Sequence, residues 1–172
     1  SWYTLSQGSR LIPLSWLLAL EQPDSDAFFL DPAHIDSFRY LPSYSPSERL
    51  PVGFVADSQD NWNFSRTKLT WKDPQPRTEK WVGMNCAACH TSEITFNGNR
   101  MRIEGGPTLA DFQGFMAALH KSLEQTKDKP EKLSRFARDV FRDKSNASKC
   151  GDPDIGRSPK CQKLIGALDT YI

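Results

Sequence analysis

Hydrophobic positions follow two different rules along this chain. From residue 109 onward they recur at helical spacing. Leu109, Phe112, Phe115, Met116, Leu119 and Leu123 fall on one face, which predicts a helix running to about Thr126. Thr108-Leu109-Ala110-Asp111 reads as a capping box at its start, with Asp in place of Glu. Pro130 opens a second helix at its first turn, and Leu133, Phe136, Ala137, Val140 and Phe141 keep the i, i+3, i+4, i+7, i+8 pattern. Residues 145 to 159 have loop composition. A last helix from about Pro159 carries Cys161, Leu164, Ile165 and Leu168.

The first 80 residues show no such order. Prolines at 13, 23, 32, 42, 46, 51, 74 and 76 interrupt them, and proline removes a backbone donor and steers its predecessor away from helix. Two short helices fit between: Leu14 to Glu21, and Pro32 to Phe38 with Asp31 as N-cap. The segment is expected to be an irregular arm packed on the rest through Trp2, Tyr3, Phe28, Phe29, Phe38, Tyr40, Phe54 and Trp62. Between arm and helices, Ile94 to Phe96 and Asn99 to Ile103 flank Asn97-Gly98, which predicts a β-hairpin with a type I′ turn. The fold expected is mainly α: a cytochrome c-like domain over residues 81–172, with a small hairpin and a long irregular N-terminal arm over 1–80.

Composition narrows the function. The 172 residues carry 22 basic and 21 acidic side chains, net +1, with no basic stripe, which argues against a nucleic-acid binder. The longest apolar run, Leu11 to Leu20, is broken by Pro13 and Ser15 and is too short to span a bilayer. The chain starts at Ser1 without Met and stops at Ile172 within a periodic apolar stretch, so it reads as the leading piece of a longer protein.

The chemistry concentrates at Cys86-Ala87-Ala88-Cys89-His90. Cys-x-x-Cys-His is the spacing of a covalent c-type haem site. On one turn of helix, two cysteines three apart share a face and can each form a thioether to one haem, and the next residue, His90, becomes the proximal iron ligand. Cys86 and Cys89 are therefore the expected haem c attachment points and His90 the expected metal ligand. A thioredoxin-like redox pair would want a preceding strand and a βαβ unit, for which Trp81 to Asn85 is a poor fit. A zinc site would need a fourth ligand, with only Cys150 or Cys161 to draw on. Covalent haem implies export, in bacteria to the periplasm, where Cys150 and Cys161 would be free to pair.

Other residues near the motif are candidates for support. Trp81, Arg100 and Arg102 are donors for the haem propionates. Glu93 and Glu104 are the nearest carboxylates for acid–base work. The sixth iron position has five candidates, His34, His120, Met84, Met101 and Met116, and none stands out. No catalytic residue is assigned.

Trp81 to Thr91, Asn97-Gly98 and Gly106-Pro107-Thr108-Leu109-Ala110-Asp111-Phe112 together resemble the haem-binding part of the bacterial di-haem cytochrome c peroxidase superfamily, and within it the branch that includes the haem-type rubber oxygenases. The resemblance covers mainly residues 81 to 141, and the stretches Leu5 to Glu21 and Leu50-Pro51-Val52-Gly53-Phe54 also resemble that branch. It implies a periplasmic oxidoreductase in which this chain supplies the N-terminal haem domain. A second haem domain in the same polypeptide, or an electron-donor protein, would be its partner, and peroxide or oxygen its small-molecule substrate. The alternatives are a mono-haem electron-transfer cytochrome c, and a module whose haem is structural or sensory.

Overall fold

Strand β3 (Thr78–Met84) joins the two halves of the chain. In the computed structural model, which describes residues 2–43, 49–60, 69–142, 150–152 and 158–172, β3 lies in the middle of an antiparallel sheet. Strand β2 (Phe54–Asp60) pairs along its whole length, from Phe54 opposite Met84 to Asp60 opposite Thr78. On the other edge the two-residue strand β1 (Ile12–Pro13) pairs Ile12 with Val82. Pro13 is tolerated there because an edge strand need not donate from every residue.

Helices cover this sheet. Helix α1 (Leu14–Ala19) follows β1 directly and ends where Leu20 turns extended and Glu21 bridges to Phe28. Helix α2 (Pro32–Ser37) starts as expected, the Asp31 carboxylate accepting from Ala33 N at 3.0 Å. After the hairpin β4 (Thr91–Phe96) and β5 (Asn99–Glu104) come α3 (Phe112–Asp128), α4 (Pro130–Phe141) and α5 (Pro159–Tyr171). Much of the periodic pattern is buried: Phe115, Leu119 and Leu123; Leu133, Phe136, Ala137 and Val140; Cys161, Leu164 and Leu168; Met116, Phe141 and Ile165 are half-buried, and Phe112 is exposed. Cys150 and Cys161 form a disulfide, with Cα atoms 5.4 Å apart, that ties the chain after α4 to the first turn of α5.

The mainly α expectation is overturned. Helix accounts for 39% and strand for 21% of the described residues, in two antiparallel sheets. The chain is mixed α and β, and the fold is not cytochrome c-like. The physical reason lies in β2. Its sequence, Phe-Val-Ala-Asp-Ser-Gln-Asp, lacks apolar alternation and becomes a strand through its ladder with β3. Nor are the first 80 residues an irregular arm. They supply β1, β2, α1 and α2, and residue 80 falls inside β3. They also supply Trp16, which is fully buried and meets Trp71, Phe136 and Tyr171 edge-on at 5.4, 5.8 and 5.7 Å. Phe29, Phe38, Tyr40 and Phe54 surround Phe115 in a second aromatic cluster.

Two local details also change. Asp111 is itself the N-cap of α3, accepting from Gly114 N at 2.8 Å, so Leu109 lies ahead of the helix and is 80% exposed. Ser1, Pro46, Trp62, Pro153 and Gly156, with most of the 145–159 loop, lie outside the described residues. Among those described, no helix is long and apolar enough to cross a membrane.

Candidate functional site: an exposed Cys-x-x-Cys-His turn

The motif sits where β3 runs out. Asn85 is extended and caps a short 3₁₀ turn over Cys86–Ala88, its side-chain oxygen accepting from Ala87 N at 2.9 Å. The Cys86 carbonyl then accepts from both Cys89 N (3.2 Å) and His90 N (2.8 Å). This single turn sorts its residues by polarity and reactivity. Ala87 and Ala88 are buried, while Cys86, Cys89 and His90 are exposed. Both thiols are free.

Two elements to which sequence reasoning gave no role at the motif hold the turn. The first is Gly53, just ahead of β2. Its φ is +79°, its carbonyl accepts from Asn85 N at 2.9 Å, and a Cβ built on it would lie 2.0 Å from Ala88 N. Only glycine lets the backbone come this close. Gly53→Ala is therefore expected to lower stability by about 1–3 kcal/mol from backbone conformation alone, and by more from the collision with Ala88. A urea midpoint equal to that of the parent protein would refute this.

The second element is the N-terminal segment, residues 2–9, which lies along the motif as a strap. The Asn85 amide donates to the carbonyls of Trp2 (3.3 Å), Tyr3 (3.4 Å) and Leu5 (3.1 Å). Trp2 Nε1 donates to Thr91 Oγ1 at 3.2 Å, and Gln7 Nε2 to the Cys86 sulfur at 3.3 Å. Ser9 Oγ donates to Met84 O at 2.7 Å and accepts from Met84 N at 2.9 Å. Nothing in the spacing of the strap's residues marks these partners, because side-chain bonds to backbone carbonyls leave no sequence period.

The hairpin follows without a linker. Asn97 (φ 49°) and Gly98 (φ 77°) have the two positive φ values of the expected type I′ turn. The segment beyond returns to the motif: Gly105 N donates to His90 O at 2.8 Å and Thr108 N to Cys89 O at 3.1 Å. On the hairpin's inner face Arg102 donates from Nε to Glu93 at 3.0 Å and from its terminal nitrogen to Pro42 O at 2.7 Å. Arg100 Nε donates to Glu93 at 2.8 Å. Burial opposes the Glu93 charge, but the two guanidinium partners outweigh it and hold the carboxyl below the usual carboxylate range. Glu93 is thus an ionised, doubly paired group, poorly suited to giving up a proton. Glu104 is exposed across from Thr91.

Trp81 lies in β3. It is buried, edge-on to Trp71 at 6.3 Å, with the Arg10 guanidinium 4.1 Å above its ring. Of the sixth-ligand candidates, His34 is wedged between Phe29 and Phe38, both 4.9 Å away, and burial lowers its pKa. Met116 packs against the core, His120 pairs with Glu124 at 3.4 Å, and Met84 sits under Ser9. Met101 is 50% exposed on the hairpin's outer face.

Tyr40 adds a feature without a sequence signal. Its ring packs on Phe54 at 4.9 Å, and its buried hydroxyl has no hydrogen-bond partner among the described residues. Burial, then the nearby Cys89 and Asp111, push its pKa up to about 12.

The residues present suit a covalently held haem. Two free thiols and an imidazole lie exposed on one turn, and the segments that adjoin it carry large exposed apolar side chains: Leu5 in the strap, Ile94, Phe96, Met101 and Ile103 in the hairpin, and Leu109 beyond it. A zinc site is less well served. Cys150 and Cys161 are joined to each other, and among the described residues no three His, Cys, Asp or Glu side chains gather as a metal site. One correction concerns the redox-pair alternative: Trp81–Met84 is strand, so the motif does follow a strand, although the sheet is antiparallel and provides no βαβ unit.

Fold and site together define an antiparallel α/β domain that presents a Cys-x-x-Cys-His turn to solvent. No family model matches the chain, and no solved structure matches it. It is similar to the protein described as uncharacterized protein y4iJ of Sinorhizobium fredii (strain NBRC 101917 / NGR234), with 36% identity over 139 residues. That match covers 76% of this chain and 22% of the relative, so the chain spans about a fifth of the relative's length.

Proposed function

We propose that this chain is a c-type haem domain of an exported bacterial oxidoreductase of the di-haem peroxidase and oxygenase kind. The observation that carries the reading is the exposed Cys86–Cys89–His90 turn, with both thiols free and apolar side chains exposed on the adjoining strap and hairpin. Each thiol would add across a vinyl group of haem, forming one C–S bond while the thiol hydrogen passes to the neighbouring vinyl carbon. His90 would bind the iron. The haem, once bound, supplies the redox centre. The protein's own part is to hold the turn rigid, through Gly53 behind it and Asn85 with the strap beside it. Peroxide or oxygen is the small-molecule substrate on this reading. The partner is a second haem domain of the same polypeptide or an electron-donor protein, and the location is the periplasm.

Denatured protein made in a bacterium with cytochrome c maturation should keep haem through gel electrophoresis. Its pyridine spectrum should be that of a haem with saturated vinyl groups. Haem fully extracted by acidified organic solvent would overturn the reading. A second reading, a dithiol–disulfide pair, is favoured by the strand that runs into Cys86. It predicts no retained haem and a Cys86–Cys89 disulfide after mild oxidation, so the same preparation separates the two.

A further inference from the structure

A hairpin laid on a protein normally turns its apolar face inward and its polar face to water. Here the order is reversed. The inward face holds the Glu93–Arg102 ion pair, with the Arg102 side chain only 6% exposed. The outward face presents Ile94, Phe96, Met101 and Ile103 at 45%, 67%, 50% and 45% exposure. The register that produces this is pinned at both ends. Asn97-Gly98 sets it at the tip, and Ser92 Oγ donates to Pro107 O at 2.6 Å at the base. A one-residue slip would exchange the two faces.

We propose that the outward face of the β4–β5 hairpin is the wall against which a porphyrin attached at Cys86 and Cys89 rests. This inference rests on the haem reading above and says which surface of the chain the group covers. Two observations select a tetrapyrrole over a protein partner. Strand β4 begins at the residue after His90, so a ring tethered two and five residues before it is held close to the hairpin. In addition, the six outward positions, Ser92, Ile94, Phe96, Asn99, Met101 and Ile103, carry no charge, while the hairpin's charges Glu93, Arg100, Arg102 and Glu104 all alternate to the other side.

The test uses the haem-loaded protein, with Ile94→Asp and Ile103→Asp on the wall and Phe28→Asp as an exposed apolar position in another part of the fold. All three positions are solvent-exposed, so the variants should fold, with near-ultraviolet circular dichroism as the check. Haem stoichiometry is read from the pyridine spectrum, and the environment of the iron from the Soret maximum and a redox titration. A carboxylate against the ring favours the oxidised iron. The wall variants should therefore keep one covalent haem, shift the Soret maximum and lower the reduction potential, while Phe28→Asp changes neither. One covalent haem with an unmoved Soret band and potential in both wall variants would overturn the inference and leave the haem reading standing. A concentration-dependent dimer that Ile94→Asp abolishes, again with an unmoved spectrum, would overturn it by assigning the face to a second copy of the chain. Absence of covalent haem in the parent protein would remove the haem reading itself, and the inference with it.

Discussion

Glu21→Ala is expected to destabilise the fold by about 3–5 kcal/mol, the range for breaking one side of a buried ion pair. Glu21 is 7% exposed, and its carboxylate accepts from Arg135 Nε at 2.6 Å and from Lys132 Nζ at 3.1 Å. Lys132 is itself 5% exposed and also donates to the carbonyls of Gln22 (2.9 Å) and Ser25 (2.6 Å). The network clamps α4 onto the turn that follows α1. Removing the carboxylate leaves the Lys132 charge buried with carbonyls alone. Replacing both partners by apolar residues, as in Glu21→Leu with Lys132→Met, removes the stranded charge and should recover part of the loss. Urea midpoints of the single and double variants measure this, and a single variant within experimental error of the parent would contradict it. The pH dependence has a definite sign. Burial opposes the Glu21 charge, but the hydrogen bonds and charges of Arg135 and Lys132 outweigh it and lower its pKa in the folded state. A carboxyl lowered on folding contributes stability above its unfolded value, about 4.3, and loses that contribution as the pH falls through the folded value. The parent protein should lose stability on acidification through this window more steeply than Glu21→Gln does.

The second large effect is expected at the iron. With haem attached, the reduced protein should bind carbon monoxide within mixing time, because the side chains that would block the sixth position are engaged elsewhere. His34 lies between two phenylalanine rings, Met116 packs on the core, and His120 is paired with Glu124. Met101 faces outward on the hairpin and is the control. If carbon monoxide binds only in Met101→Ala, its sulfur is the sixth ligand and the chain is an electron carrier. If the parent binds it, the enzyme reading survives, and peroxide turnover against oxygen uptake on an alkene decides between the two branches. His90→Ala should in either case lose the parent's visible spectrum, since the proximal ligand is gone.

Helices α3, α4 and α5 were legible because each buries one face at a period of 3.6, and Asp31, Pro32 and Pro130 mark helix starts by chemistry local to a few residues. Asn97-Gly98 marked the hairpin for the same reason: positive φ at two successive positions is a local demand. The disulfide partners were legible because two cysteines separated by a short loop have few other partners. Strands β2 and β3 were not legible. Asp57, Ser58 and Gln59 hide β2, which exists because of a partner about two dozen residues away.

The division at the site follows the same physics. Cys86, Cys89 and His90 were readable because the spacing of three reactive groups on one turn is a short-range property. Arg102 and Trp81 were assigned by proximity in the chain, which carries nothing of their tertiary contacts: Arg102 binds Glu93 and Pro42 on the inner hairpin face, and Trp81 lies under Arg10 in the sheet. The sequence by itself determined the helical periods, the hairpin turn and the reactive triplet, each set within about ten residues of chain. Tertiary structure alone decided that Gly53 backs the turn, that Asn85 and Gln7 bind the strap to it, and that the hairpin shows its apolar side to water. These outcomes depend on which distant backbone groups need a hydrogen-bond partner and which surfaces meet, and a pattern of residue types along one segment does not carry that information.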